Sequence, residues 1–177
     1  MITPDTKDWT WVVQRQCPEC GFDASAFPRE EVADRLRRNA EVWTALLAED
    51  PEGLRLRPDP QTWSALEYAC HVRDVCRTYD RRLGLMTTLD NPLYPDWDQD
   101  TTAVEERYNE QDPATVANDL RTAAGSLASG FDRVEGGAWA RPGRRSDGAR
   151  FTVDSFARYF LHDVVHHLYD VTGVKAD

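Results

Sequence analysis

No stretch of this 177-residue chain approaches the roughly 18 consecutive apolar residues that would cross a bilayer, so a membrane-spanning segment is not expected. The opening Met1-Ile2-Thr3-Pro4-Asp5-Thr6-Lys7 carries neither the basic region nor the apolar run of a secretory signal. Basic residues are in the minority. Against 31 Asp and Glu stand 21 Lys and Arg, a net charge of -10, which disfavours binding to nucleic-acid phosphates or anionic lipid. Four cysteines are too few for a disulfide framework and fit a reducing compartment, so a cytoplasmic protein is expected. Strict alternation of apolar and polar residues is also missing, and with it the demand for a sheet.

What is present is helical periodicity in four segments. Val32, Leu36, Ala40, Trp43 and Leu47 mark a first helix over about Glu30 to Glu49, halted by Asp50-Pro51. A second begins after Trp63, where Ser64 and Glu67 have capping-box spacing, and runs through Val72, Val75, Tyr79, Leu83 and Met86. A third has Asp112 as its cap and Pro113 in its first turn, then Val116, Leu120, Ala124, Leu127 and Phe131, ending near Gly136-Gly137. The fourth starts near Thr152 and carries Val153, Phe156, Phe160, Val164, Leu168 and Val171 up to Gly173. The fold class expected is all-α, a four-helix bundle over residues 30–177, preceded by an N-terminal extension over residues 1–29. About 25 residues separate helices two and three, enough to cross the bundle, so these two helices are expected to run parallel and helices two and four antiparallel.

Histidine is scarce and concentrated. All four residues lie on two of these helices, His71 on the second and His162, His166 and His167 on the fourth, at one level of the expected bundle. Imidazole is the commonest protein ligand for a transition metal. On the fourth helix two pairs spaced by four compete, His162 with His166 and Asp163 with His167. On a wheel of about 100° per residue, His162 and His166 point away from the apolar stripe, whereas His167 is roughly 60° and Asp163 roughly 100° from its centre. His71 sits at the edge of its own stripe, roughly 110° from the centre. Edge positions on neighbouring helices meet at a cleft, which favours His71, Asp163 and His167 as ligands; the pair His162 and His166 remains the alternative.

The phrases Trp63-Ser64-x-x-Glu67-x-x-x-His71 and Asp163-x-x-x-His167-x-x-Asp170-Val171 resemble the DinB superfamily, most closely its mycothiol-dependent maleylpyruvate isomerase-like branch. The resemblance implies a four-helix bundle with a long crossover. It also implies a divalent metal held by one histidine of helix two and an acid and histidine spaced by four on the last helix, here His71, Asp163 and His167. The branch usually has Glu where this chain has Asp163, and these residues hold no counterpart of the isomerases' second domain.

Two imidazoles and one carboxylate leave positions open on the metal, the arrangement of a catalytic rather than a structural site. Zinc suits the donors best, with nickel, iron or manganese compatible. A metal-bound thiol loses its proton, so the resemblance implies thiol chemistry: S-transfer or isomerisation with a low-molecular-weight thiol such as mycothiol or bacillithiol and a small-molecule electrophile. A metal-dependent hydrolase and a non-catalytic metal-binding bundle with a structural or stress-related role are the alternatives. Asp170 and Asp74, each three residues beyond a ligand histidine, are candidates to orient the rings. Arg141, Arg144 and Arg145 are candidates to clamp an anionic substrate. The aromatics Tyr94, Trp97 and Tyr108 of the long connection either line a pocket or pin the crossover. A homodimer is compatible with the composition.

One motif stands apart. Cys17-Pro18-Glu19-Cys20-Gly21 looks like half a zinc knuckle, and a complete one needs a second pair. Cys70 and Cys76, about 120° apart around a helix, do not make that pair. A structural turn is the leading expectation, with a redox pair or a metal-binding pair as alternatives.

Overall fold

The computed structural model of the chain describes residues 2–3 and 7–176, so most of the opening heptapeptide lies outside the described residues. Three of the four long helices begin at a side-chain cap. Helix α1 (Val32–Leu47) buries Val32, Leu36, Ala40, Trp43 and Leu47 as one stripe. Helix α2 (Ala65–Thr88) opens on the Ser64 and Glu67 capping box. A short helix, α3 (Gln99–Glu105), starts at Asp98, whose carboxylate accepts from the Thr101 amide. Helix α4 (Pro113–Asp132) is capped by Asp112 and has proline in its first turn. Helix α5 (Val153–Thr172) is capped by Thr152 and stops at Gly173, which is left-handed at φ 70°.

The handedness of the connections follows from which residues meet. Arg77 pairs with Asp119 at 3.0 Å, Asp80 accepts from Ser126 at 2.7 Å, and Leu83 lies over Gly130, so numbers rise together and α2 and α4 are parallel. In contrast His71 meets His167 while Tyr79 meets Phe156, so α2 and α5 are antiparallel. A parallel pair requires a crossover, and residues 89–112 supply it. Tyr94 and Tyr108 are both buried and anchor that segment in the core, with the Tyr108 hydroxyl donating to Asp74.

Besides α3, the bundle carries a small sheet that the sequence pattern does not predict. Strand β1 (Leu93–Tyr94) pairs in parallel with β2 (Pro142–Arg145), which pairs antiparallel with β3 (Arg150–Thr152). The sheet ties the crossover to the approach of α5. Gly143 of β2 lies so close to α2 that a Cβ would stand 2.7 Å from Met86 Cγ. The N-terminal segment is not detached either, since Val12, Cys17, Cys20, Phe22 and Ala24 are all buried. No helix among the described residues is long and apolar enough to cross a membrane. All four cysteines are free and buried.

Candidate metal centre

Antiparallel packing of α2 against α5 brings His71, two turns into α2, against Asp163 and His167, which the spacing of four places on one face of α5. One donor atom from each lies within 4.8 Å of the others. His71 Nε2 is 3.9 Å from Asp163 Oδ2, and His167 Nε2 is 3.5 Å from Asp163 Oδ1. The rings of His71 and His167 stand nearly perpendicular, 4.7 Å between centroids. His71 is stacked on Trp97, 5.5 Å away and within 4° of parallel, with Trp63 on another side at 5.2 Å. The Trp97 indole is itself held by a 2.8 Å hydrogen bond to Thr102 Oγ1.

The donor set suits a divalent cation. Both ring nitrogens of His71 are buried with no hydrogen-bond partner among the described residues, an arrangement that costs free energy unless something binds them. Burial, with His167 adding repulsion, pushes the His71 imidazole down to about 3, so its lone pair is free at neutral pH. Burial also opposes charge on Asp163 and His167, but each outweighs it for the other. The His167 side chain draws the Asp163 carboxyl down to about 2. Asp163 and then Asp170 lift the His167 imidazole to about 10. Loading a metal on His167 therefore means losing that proton.

A model of the DinB superfamily matches residues 34–171, most of the chain. The chain belongs to the DinB superfamily. Among solved structures, this DinB protein is similar to one described as "YfiT from Bacillus subtilis is a probable metal-dependent hydrolase with an unusual four-helix bundle topology". The TM-score is 0.62 at 16% identity, over 95% of this chain and 90% of that one, a likeness of fold. No curated protein matches the chain significantly.

The other candidates of this DinB chain fall in different places. Asp170 Oδ2 is 3.0 Å from His167 Nδ1, in position to orient the ring. Asp74 does not reach His71: its carboxylate accepts from Arg73, Arg77 and Tyr108. Arg145 lines the same cleft as His71, Asp163 and His167 and is paired with Asp147 at 2.7 Å. Arg141 and Arg144 are not among the residues lining it. The Arg141 guanidinium donates to the Met86 and Leu89 carbonyls and so closes the end of α2, while Arg144 donates to Asn91. His162 and His166 face the N-terminal segment, where Cys17 and Cys20 lie.

The cleft has a volume of about 650 Å³. Its lining includes residues that sequence reasoning passed over: Val75, Tyr79, Arg82, Tyr68 and Tyr159. A signal for most of them existed. Val75, Tyr79 and Arg82 stand four, eight and eleven residues after His71, on the same face of α2, and Tyr159 stands four before Asp163 on α5. Of the crossover aromatics, Trp97 lines the cleft and stacks on His71, beside Asp96, Asp98, Gln99 and Asp100 of the same segment.

Proposed function

We propose that this DinB protein is a divalent-metal-dependent enzyme that activates a low-molecular-weight thiol for attack on a small electrophile, by S-transfer or isomerisation. The observation that carries the reading is the convergence of three donors, His71 with both nitrogens unpartnered, on one point of an open cleft. A divalent cation there would lower the pKa of a bound thiol or water and leave positions open for substrate. The cleft, at about 650 Å³, has the size of a small-molecule site, for which about 300–1,000 Å³ is usual. Zinc is the proposed metal and mycothiol or bacillithiol the proposed thiol class.

The chain's own residues divide the remaining work. His71, clamped between Trp97 and Trp63, presents a neutral imidazole in a fixed direction. Asp163 supplies the negative charge, and Asp170 holds the His167 ring through Nδ1 so that Nε2 faces Asp163. Trp63, Trp97, Tyr68 and Tyr159 offer apolar faces to a substrate, and Arg82 and Arg145 offer cationic groups at the wall.

Hydrolysis by metal-bound water is the second reading, favoured by the description of the Bacillus subtilis structure. The test is the rate of consumption of an electrophilic chloronitroarene and of a nitrophenyl ester, each with zinc, with and without mycothiol, bacillithiol or glutathione. Thiol-dependent conjugation that falls at least ~100-fold in His71→Ala is expected. Ester hydrolysis indifferent to thiol, with no conjugation, would replace the thiol reading by the hydrolase one.

A further inference from the structure

Outside the cleft's three ligands, the DinB chain assembles a second set of donors. Cys17, Cys20, His162 and His166 are all buried, and one donor atom from each lies within 4.8 Å of the others. The spacings are Cys-x-x-Cys and His-x-x-x-His, those of four-ligand tetrahedral zinc sites. The geometry points to a structural zinc site at Cys17, Cys20, His162 and His166, distinct from the His71 centre and independent of its proposed activity.

Each part of the arrangement serves that assignment. Cys17 Sγ is 3.8 Å from His166 Nδ1. Zinc bonds of about 2.0–2.3 Å imply tetrahedral edges of about 3.3–3.8 Å, so this edge is already close to bound length. His162 Nε2 is buried with no hydrogen-bond partner among the described residues, a ring nitrogen left unengaged beside the cysteines. His166 turns Nδ1 to the cysteines and Nε2 towards Asp170 at 3.5 Å and Glu19 at 3.6 Å, the outward carboxylate contact that fixes a ligating histidine. The cysteine pair is preshaped: the Gly21 amide donates to the Cys17 carbonyl, the Cys17 amide to the Phe22 carbonyl, and Gly21 adopts φ +79°. Trp9 covers both imidazoles, 5.4 Å from His162 and 4.9 Å from His166.

Four protein ligands leave no position for substrate, and two thiolates with two imidazoles select zinc over magnesium or calcium. The site would join two distant pieces of chain. The cysteines belong to the N-terminal segment and the histidines to α5. The C-terminal tail closes over the cysteine turn, the Ala176 amide donating to the Cys20 carbonyl and Lys175 Nζ to the Pro18 carbonyl.

Elemental analysis and cobalt(II) substitution of the full chain test the assignment. In His71→Ala, one tightly held zinc per chain is expected to survive dialysis, and cobalt(II) added to the stripped protein should give intense thiolate-to-cobalt absorption. Cys17→Ser added to His71→Ala should lose both. Should Cys17→Ser fail to fold, the wild-type chain decides the matter: a strong chelator should release that zinc and make two thiols reactive. A cobalt spectrum without thiolate bands would overturn the site. So would thiols that react alike with and without chelator, or a native Cys17–Cys20 disulfide seen by intact mass. Loss of zinc only in His71→Ala would locate all metal at the cleft and equally overturn it.

Discussion

His71 is a buried polar side chain whose ring nitrogens give the fold no hydrogen bond among the described residues. Two unpartnered ring nitrogens in the interior cost about 1–3 kcal/mol each, and Trp63 and Trp97 provide only ring faces. His71→Leu should therefore abolish metal binding at the cleft while raising the unfolding free energy of chelator-treated protein by about 1–2 kcal/mol, as denaturant titration would show. A destabilised leucine variant would mean that the imidazole has a structural partner. Asp170 is the complementary case, since its two oxygens face His167 Nδ1 and His166 Nε2, one histidine from each donor set. Asp170→Ala is expected to weaken metal retention at both by about 10 to 100-fold in competition with a chelator. An effect confined to one set would show that the carboxylate orients one ring only. The wheel placed His162 and His166 away from the apolar stripe, and in the structure both are buried against the N-terminal segment, a packing that the wheel does not foresee. It takes them away from His71 and towards Cys17 and Cys20. The second pair that the cysteine turn lacked was sought among thiols, and no local pattern relates Cys20 to His162.

The elements were legible where period and cap coincide. The four long helices begin at Ser64, Asp112 and Thr152 or after the turn at Arg29–Glu31, and their stripes are the buried ones. Strands of two to four residues are too short for alternation to show, and the sheet rests on the crossover meeting residues some fifty positions later, as Leu93 does Arg144. The start of α2 deserves its own test because it sets the position of His71. The Glu67 carboxylate accepts from the Ser64 amide at 2.8 Å and from Arg57 Nε at 2.9 Å, and the residue is almost wholly buried. Glu67→Ala should cost about 2–3 kcal/mol, from the lost capping box and the lost ion pair. The pH dependence has a definite sign. Burial acts to raise the Glu67 carboxyl, but Arg57 and the Ser64 amide outweigh it and hold it below its ordinary 4.5. Its folded-state pKa thus lies under the unfolded one, so its contribution is full above about 4.5 and is lost as pH falls through the folded value. The difference in stability between wild type and Glu67→Gln should be flat above about pH 5.5 and shrink below 4.5, measured by urea unfolding across pH. A difference that grows on acidification would assign the effect to another group.

At the scale of the whole molecule, a long connection implied parallel α2 and α4, and that topology places the His71 and His167 ends of two antiparallel helices side by side. The same packing turns the outer face of α5 towards the N-terminal segment, which contributes Val12, Cys17, Cys20, Phe22 and Ala24 to the buried interior. Little in residues 7–27 is held by long regular structure, a four-residue turn at Thr10–Val13 being its only helix-like element among the described residues. If zinc joins this segment to α5, its docking free energy is linked to metal occupancy. A ligand present at a thousandfold excess over its Kd stabilises the form that binds it by about 4 kcal/mol. Stripping the Cys17 site should then release residues 7–27 and the tail at Lys175 and Ala176 to fast hydrogen exchange, while amides of α2 and α4 keep their protection. Because Trp9 and Glu19 also line the cleft, the released state should open its wall as well, and cleft ligands should bind less tightly although His71, Asp163 and His167 are untouched. Exchange that is identical with and without chelator would show that apolar burial alone holds the segment in place.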